Sequence, residues 1–330
     1  MTAPFLGPLF IVGLSRSGTK LIRDLLNRHP HIAIPVAETH FLPHLFERII
    51  GDDVVPTSPK LRQFEELLSG STFLRRLQQR GSVPDWQQLK QAFGRPTWLE
   101  VIEQVLRLYA GSADDARVIW GDKTPRYLAH MRLLKHRFPQ ARFLHIVRDP
   151  RDRALSVRQA WGGNLYLSAD DWRQSLMQAA RDAQALGSDY KTIRYEDLLT
   201  YPEQTMRSVC KFLDIDFSPD TLVLDRPVEN LGDPDDVTRK QSTIVASNVG
   251  RFHDRLNTRQ RRRIEQIVFP IARQLGSAPT VNDLDHRPPR WFERAWWLVP
   301  HGWNNVAFHV RRWGLVAGLR HGFLRIQSKR

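Results

Sequence analysis

The sequence predicts an α/β fold with a mostly parallel central sheet, and three observations carry that prediction. Short apolar runs typical of buried strands recur along the chain. Between them lie longer stretches with apolar positions at helical spacing, several of which follow a proline suited to a first helical turn, at Pro125, Pro150 and Pro202. The strands and helices alternate, which is typical of a parallel sheet covered by helices on both faces.

The predicted elements begin with a strand that ends at Gly13 and a helix that follows Gly18. A second short strand is expected at 31–34, and 48–117 is expected to be a helical insertion, either an acceptor-side subdomain or a packing layer. Further strands are expected at 118–120, 143–147 and 191–193. Residues 215–249 are rich in Asp and Pro and poor in periodicity, so a long loop is expected there.

Composition limits the function before any motif is considered. The 330 residues carry a net charge of +14 and a single cysteine, Cys210, so no intrachain disulfide is expected. No apolar run of about eighteen residues is present, so no membrane-spanning helix is expected. No Cys/His cluster has metal-ligand spacing. These features favour a reducing, cytoplasmic compartment, and the scattered basic residues disfavour specific nucleic-acid binding.

Residues 9–20 combine an apolar strand, a glycine-containing loop and the start of a helix. Gly13 and Gly18 let the backbone turn sharply, and the first amides and the dipole of the helix attract an anion. The side-chain donors of this loop are Arg16, Ser17, Thr19 and Lys20. A nucleoside triphosphatase P-loop has its Lys directly after the second glycine, whereas Thr stands there in this chain. The order therefore disfavours a magnesium–ATP site.

A second strand–helix junction also points to a phosphate. An apolar strand pattern ends at Val147 and runs into Arg148, and Ser156 follows about two turns into the helix that begins near Pro150. Arginine is the side chain best suited to a bidentate phosphate contact. Both junctions fall at the carboxyl ends of strands, where parallel sheets bind ligands. A solvated, charged turn is the alternative interpretation of this segment.

Together these segments resemble the sulfotransferases that use 3′-phosphoadenosine 5′-phosphosulfate (PAPS) as donor. Residues 16–19, Arg-Ser-Gly-Thr, resemble the family's 5′-phosphosulfate loop, and Arg148 with Ser156 resembles its 3′-phosphate motif. Residues 121–125 are similar to its Lys-Thr/Ser-Pro element, and 193–198 to its strand-end Tyr-Glu-Asp-Leu. The four motifs stand in the family's order, which is more specific than any one of them.

The resemblance implies a P-loop-like three-layer sandwich, PAPS as donor and no required metal. It implies that Arg16 is the cation at the leaving group, with Lys20 and Lys123 in support. The donor contacts that it implies are Arg16, Ser17, Gly18, Thr19 and Lys20 at the 5′ end, and Arg148, Ser156, Tyr195, Gly250 and Arg251 elsewhere. Residues 241–247 are expected to form a flap beside the last pair.

An acceptor hydroxyl must lose a proton, so a base is expected to face the loop. Glu38-Thr39 matches a Glu-Thr pair that supplies the base in tyrosylprotein-type relatives, although the spacing from the loop is one residue longer here. His40 stands where the family often has Arg, and it is a rival base. In the alternative interpretation Glu38 caps a helix and His40 is an ordinary surface histidine.

Residues 287–330 form a basic, Trp-rich extension to a single sulfotransferase domain expected at 1–286. They hold nine Lys/Arg residues and five Trp against one acidic residue, Glu293. This composition indicates either an interfacial helix at an anionic membrane surface or a helix that packs its aromatic face on the domain.

The sequence thus predicts a PAPS-dependent sulfotransferase. The expected acceptor is a hydroxyl of a small molecule, a glycan, a lipid-linked compound or a peptide tyrosine. Two alternatives stay open at this point. One is a P-loop ATP-dependent kinase, against which the Thr19-Lys20 order argues, and the other is a catalytically silent adaptor that binds anionic lipid through the extension.

Overall fold

A computed structural model describes residues 4–51, 53–78, 96–111, 115, 118–224, 248–281 and 284–298 of the chain. The expected flap at 241–247 and the part of the extension beyond 298 lie outside these residues. The same holds for most of the expected long loop at 215–249, of which 215–224, 248 and 249 are described. A short 3₁₀ turn spans Pro219–Leu222 within the first of these stretches.

Five parallel strands form one sheet in the order β2-β3-β1-β4-β5. They are β1 (Leu9–Gly13), β2 (Ile32–Ala33), β3 (Ile119–Lys123), β4 (Arg142–Val147) and β5 (Tyr190–Arg194). Every residue of the central strand β1 is buried, as expected for a strand covered on both faces. Each strand overlaps one that the sequence predicts, so the parallel α/β class is confirmed.

Helices connect the strands. In chain order they are α1 (Thr19–Leu26), α2 (Leu42–His44), α3 (Ser58–Gly70), α4 (Thr72–Gln78), α5 (Trp98–Ala110), α6 (Met131–Arg137), α7 (Pro150–Trp161), α8 (Leu165–Leu186), α9 (Tyr195–Thr200), α10 (Pro202–Phe212), α11 (Phe252–Arg255), α12 (Thr258–Val268), α13 (Ile271–Gln274) and α14 (291–298). A π-helical turn spans Leu45–Ile50, and a 3₁₀ helix spans Pro125–His130. The prolines at 125, 150 and 202 start helical segments as predicted, because the N–H that proline lacks has no acceptor in a first turn.

The core around β1 is aromatic. Phe10 stacks on Phe143 with ring centroids 5.4 Å apart, and it meets the edge of Tyr127 at 6.2 Å. This packing fixes the 3₁₀ helix Pro125–His130 against the sheet. The polar hydroxyl end of Tyr127 is thereby placed beside the chain that follows β2, as its contacts with Thr39 show.

The chain divides into two compact units, and it passes from the first to the second after β4, at Val147, and back to the first within α8, after Ala180. Among the described residues, the first unit holds 4–147 and 181–224, which include the whole sheet. The second unit holds 148–180 and 248–298. The bounds 1–286 and 287–330 that the sequence suggests stay a prediction. None of the described helices is long and apolar enough to cross a membrane.

A carboxyl group lies inside the sheet of the first unit. Asp122 of β3 is fully buried and is aligned with Phe10 of β1. Burial raises the pKa of Asp122 to about 6, although the Thr124 hydroxyl and the Lys123 ammonium favour the charged form. The folded state therefore holds this proton more tightly than the unfolded chain does.

Replacement of Asp122 by Asn is expected to remove a pH-dependent loss of stability. Because the folded pKa is raised, the contribution of Asp122 is most favourable near pH 4 and is lost as the pH rises through about 6. The difference in unfolding free energy between Asp122→Asn and wild type should grow by about 2 kcal/mol between pH 4 and pH 8. Urea unfolding of both proteins across this range measures it, and a difference that does not vary with pH would contradict the assignment.

Candidate active site

The loop between β1 and α1 presents backbone amides at the carboxyl edge of the sheet. The N–H of Ser17 donates to the carbonyl of Leu14 at 3.2 Å and closes the turn. Arg16 and Gly18 adopt left-handed backbone conformations, with φ of 73° and 97°. Gly18 occupies the N-cap position and no side chain caps α1. The first N–H groups of α1, beginning at Thr19, therefore have no acceptor within the helix, which is the arrangement that binds an anion.

Tyr195 packs against this loop. It is the first residue of α9, directly after β5, and its side chain is buried. A Cβ atom at Gly18 would lie 2.4 Å from the Tyr195 ring, so only glycine permits this approach. The structure thus places the predicted donor residue Tyr195 next to residues 16–20.

A charged cluster lies near the loop. The ammonium of Lys123, at the end of β3, contacts the carboxylate of Glu38, and Nε2 of His40 lies 2.9 Å from the second oxygen of that carboxylate. Lys123 is 1% exposed, Glu38 17% and His40 37%. The exposed side of the cluster is therefore formed by Glu38 and His40. The helix-capping interpretation of Glu38 is wrong, because the next helix, α2, begins at Leu42 with Phe41 as its N-cap.

Electrostatics couples the cluster to the loop. Burial opposes the charge on Glu38, but the Lys123 ammonium and the hydrogen bond from His40 hold its pKa well below the usual range. Burial also lowers the pKa of Lys123, against the attraction of Glu38. Burial and the nearby charge of Lys123 lower the pKa of Lys20 to about 8, and Arg16 contributes to the same shift. Lys123 therefore contacts a carboxylate that stays ionised at neutral pH, and Lys20 lies within electrostatic reach of both groups.

The second unit holds the other predicted donor residues. Arg148 and Ser156 are both buried, and a guanidinium nitrogen of Arg148 donates to the carbonyl of Asn248 at 2.8 Å. Gly250 adopts a left-handed conformation, with φ of 73°, and Arg251 follows it. Within this unit, the Arg148 motif and the Gly-Arg element therefore lie side by side, as their shared predicted role requires.

Two residues that sequence reasoning missed organise these motifs. In the second unit, Asp152 accepts hydrogen bonds from the backbone N–H of Gly250 at 2.7 Å and of Phe252 at 2.9 Å. In the first unit, Tyr127 contacts the segment that carries Glu38. Asp152 stands in a run of alternating Arg and Asp that resembles a solvated turn, so composition gave no signal for it. Tyr127 could have been identified from the sequence as a residue near the site, because it stands two residues after the Lys-Thr-Pro element.

The sequence is similar to known sulfotransferases. A sequence model described as the Sulfotransferase family matches residues 8–219. Protein-tyrosine sulfotransferase A of Caenorhabditis elegans is 23% identical over 301 residues, which cover 87% of this chain and 71% of that protein. Protein-tyrosine sulfotransferase 2 of Gallus gallus is 30% identical over 222 residues, which cover 65% of this chain and 53% of that protein.

Two solved structures share the fold. The sulfotransferase domain from the Synechococcus PCC 7002 olefin synthase superposes with a TM-score of 0.51 at 24% identity, covering 77% of this chain and 90% of that domain. The sulfotransferase domain from the curacin biosynthetic pathway superposes with a TM-score of 0.51 at 20% identity, covering 84% and 99%. The family match covers more than half of the chain and includes the loop, Glu38, Lys123, Arg148, Ser156 and Tyr195. The chain therefore belongs to the sulfotransferase family, and the enzyme class predicted from its four motifs is confirmed.

Proposed function

We propose that this enzyme transfers a sulfuryl group from PAPS to an acceptor hydroxyl, with Glu38 as the base. The observation that carries the proposal is the contact of the buried Lys123 ammonium with the Glu38 carboxylate in the first unit. PAPS supplies the sulfuryl group when it is bound. The chemistry of the donor set fits it, because the uncapped start of α1 and the cations Arg16, Lys20 and Lys123 suit a phosphosulfate.

Each residue has a proposed role. Arg16 stabilises the negative charge that develops on the leaving phosphate oxygen, and Lys20 and Lys123 support it. Ser17, Gly18 and Thr19 hold the 5′-phosphate, and Tyr195 contacts the adenosine end. Arg148, Ser156, Gly250 and Arg251 bind the 3′-phosphate. Support for this last assignment comes from the hydrogen bonds that hold the Gly-Arg element beside Arg148.

The base is proposed to be Glu38 with His40 as its partner. Glu38 accepts the proton of the acceptor hydroxyl at Oε1 or Oε2, and His40 holds the carboxylate from its exposed side. The acceptor that we propose is the phenolic hydroxyl of a peptide tyrosine, since curated relatives are protein-tyrosine sulfotransferases and Glu38-Thr39 matches their base. A glycan, a lipid-linked hydroxyl and a small molecule are the other acceptors to be screened.

Membrane association is a separate proposal, carried by α14 of the second unit. One face of α14 is held: Glu293 pairs with Arg263 at 2.9 Å, Arg294 with Asp170 at 2.8 Å, and the ring of Trp297 lies 5.1 Å from that of Tyr166. The opposite face carries Trp291, Phe292, Ala295 and Trp296. Trp291 is 79% exposed and Trp296 is 77% exposed.

We propose that this outer face lies on an anionic phospholipid surface at the cytoplasmic side. Indole rings favour the interface between water and lipid. The helix is flanked by the exposed Arg287 and Arg290, and its one carboxylate, Glu293, is already paired. An excess of positive charge beside exposed aromatic rings matches anionic lipid headgroups.

Adenosine 3′,5′-bisphosphate is expected to raise the melting temperature of the enzyme, whereas AMP and ATP with magnesium raise it little. Arg148→Ala should weaken bisphosphate binding by about ten- to a hundredfold and AMP binding hardly at all, because a charged hydrogen bond contributes about 1.5–3 kcal/mol. Thermal titration of both proteins with the three nucleotides measures this. A selective response to ATP with magnesium would favour a kinase, and no response to any nucleotide would favour a silent adaptor.

Glu38→Gln is expected to lower kcat for sulfuryl transfer from PAPS by about a hundredfold or more, because general base catalysis contributes about 10²–10⁴. His40→Asn, the matched control, keeps the carboxylate and should lower kcat by less than tenfold. Rates are measured with a tyrosine-containing peptide, and bisphosphate binding confirms that each variant is folded. If His40→Asn lost the larger share of activity, His40 and not Glu38 would be the base.

The double variant Trp291→Ser/Trp296→Ser is expected to lose about tenfold or more in affinity for vesicles containing phosphatidylserine, since two large apolar side chains no longer enter the lipid. Tyr201→Ser, which changes an exposed aromatic residue of the first unit, is the matched control and should bind as wild type does. Vesicle sedimentation at low and high salt measures binding. Equal binding to zwitterionic vesicles, or an unchanged double variant, would contradict the proposal.

A further inference from the structure

The segment that carries Glu38 and His40 is held from behind by one buried hydroxyl. Thr39 lies between the two site residues and its side chain points the other way, into the core, where it is fully buried. Its Oγ1 lies 2.6 Å from the hydroxyl of Tyr127. The same hydroxyl accepts the backbone N–H of Leu42 at 3.2 Å. The Tyr127 hydroxyl therefore joins two points of the segment, one on each side of His40.

A second contact fixes the same segment to the end of β3. The backbone N–H of Thr39 donates to Oγ1 of Thr124 at 3.1 Å. Thr124 directly follows Lys123, which contacts Glu38. The segment 38–42 is thus attached to residues 123–127 through a charge pair and three hydrogen bonds, all but the charge pair facing the core.

The backbone at His40 shows why this attachment matters. His40 adopts a left-handed conformation with φ of 52°, which costs a non-glycine residue about 1 kcal/mol or more. Such a conformation persists only where the surrounding structure determines it. Thr39 on one side and Leu42 on the other are both bonded to Tyr127, and this bracket places Glu38 and His40 on the same exposed side, 2.9 Å apart.

We propose that Tyr127 and Thr39 are positioning residues for the base: their buried hydroxyl pair holds the strained turn at His40, and with it the orientation of Glu38. This inference rests on the proposed sulfuryl transfer. Neither residue belongs to the loop 14–20 or to the 3′-phosphate motif, so we expect their loss to affect donor binding far less than the chemical step. A displaced base by contrast slows the chemical step, since an error of about 1 Å in a reacting group costs on the order of a hundredfold.

The test compares Tyr127→Phe with Tyr190→Phe. The control removes the hydroxyl of the half-buried Tyr190, which contacts Nδ1 of His145 and belongs to β5, at the opposite edge of the sheet from β2. Tyr127→Phe is expected to lower kcat by about ten- to a hundredfold with the KM for PAPS unchanged, and Tyr190→Phe to leave both unchanged. Thr39→Val should act as Tyr127→Phe does, and Thr39→Ser, which keeps the hydroxyl, should restore most of the rate.

Amide hydrogen exchange gives a readout that does not need turnover. In Tyr127→Phe the amides of 39–42 should exchange at least tenfold faster, while those of 14–20 and the bisphosphate-induced rise in melting temperature stay as in wild type. Equal kcat values for the two tyrosine variants, or faster exchange throughout the first unit, would overturn the proposal. If wild type itself neither binds the bisphosphate nor turns over PAPS, the proposed function fails, and the exchange result alone still decides whether the hydroxyl pair holds the turn.

Discussion

The contact between Lys123 and Glu38 is the interaction on which the first unit's site depends. Both charges are largely removed from water, and each is tolerated because the other is present. Strand pairing cannot fix Glu38 by itself, because β2 has only two residues, Ile32 and Ala33, in its ladder with β3. The position of the segment after β2 is therefore determined by side-chain contacts. The contacts of Glu38, of Thr39 and of the Leu42 N–H go to residues 123–127, so one short sequence supplies a cation, a hydroxyl acceptor and a buried phenol.

The parts of the site that are local in sequence could be predicted from it. The run from Leu9 to Leu26 specifies a strand, a glycine turn and a helix by apolar spacing and by the two glycines, and the structure has those elements at those residues. Glu38 and Lys123 were each identified by a short motif. Their contact was not, because it joins residues 85 positions apart, and neither pattern contains information on the other. The same limit applies to Asp152 and Gly250, which are 98 positions apart.

The basic, Trp-rich extension shows a different limit. Composition left two interpretations, a helix packed on its own unit and a helix at a membrane. In α14, Trp297 and Arg294 pack on the second unit while Trp291 and Trp296 are exposed, so one face fits the first interpretation and membrane contact of the other face stays a prediction. The two interpretations were never exclusive, because a helix has two faces and a tryptophan count does not say on which face each ring lies.

The low pKa of Glu38 bears on how the proposed reaction is ordered. A carboxylate paired with an ammonium is a poor proton acceptor, because the interaction that stabilises its charge also lowers its basicity. In the proposed site, a phosphosulfate at the start of α1 would compete for the Lys123 ammonium, since phosphate oxygens and the Glu38 carboxylate are alternative acceptors for the same N–H groups. A hydrogen bond from Lys123 to the donor would weaken its pairing with Glu38 and so raise the basicity of that carboxylate. The proposed mechanism therefore predicts that proton removal from the acceptor follows donor binding, with the ion pair between Lys123 and Glu38 as the link between the two events.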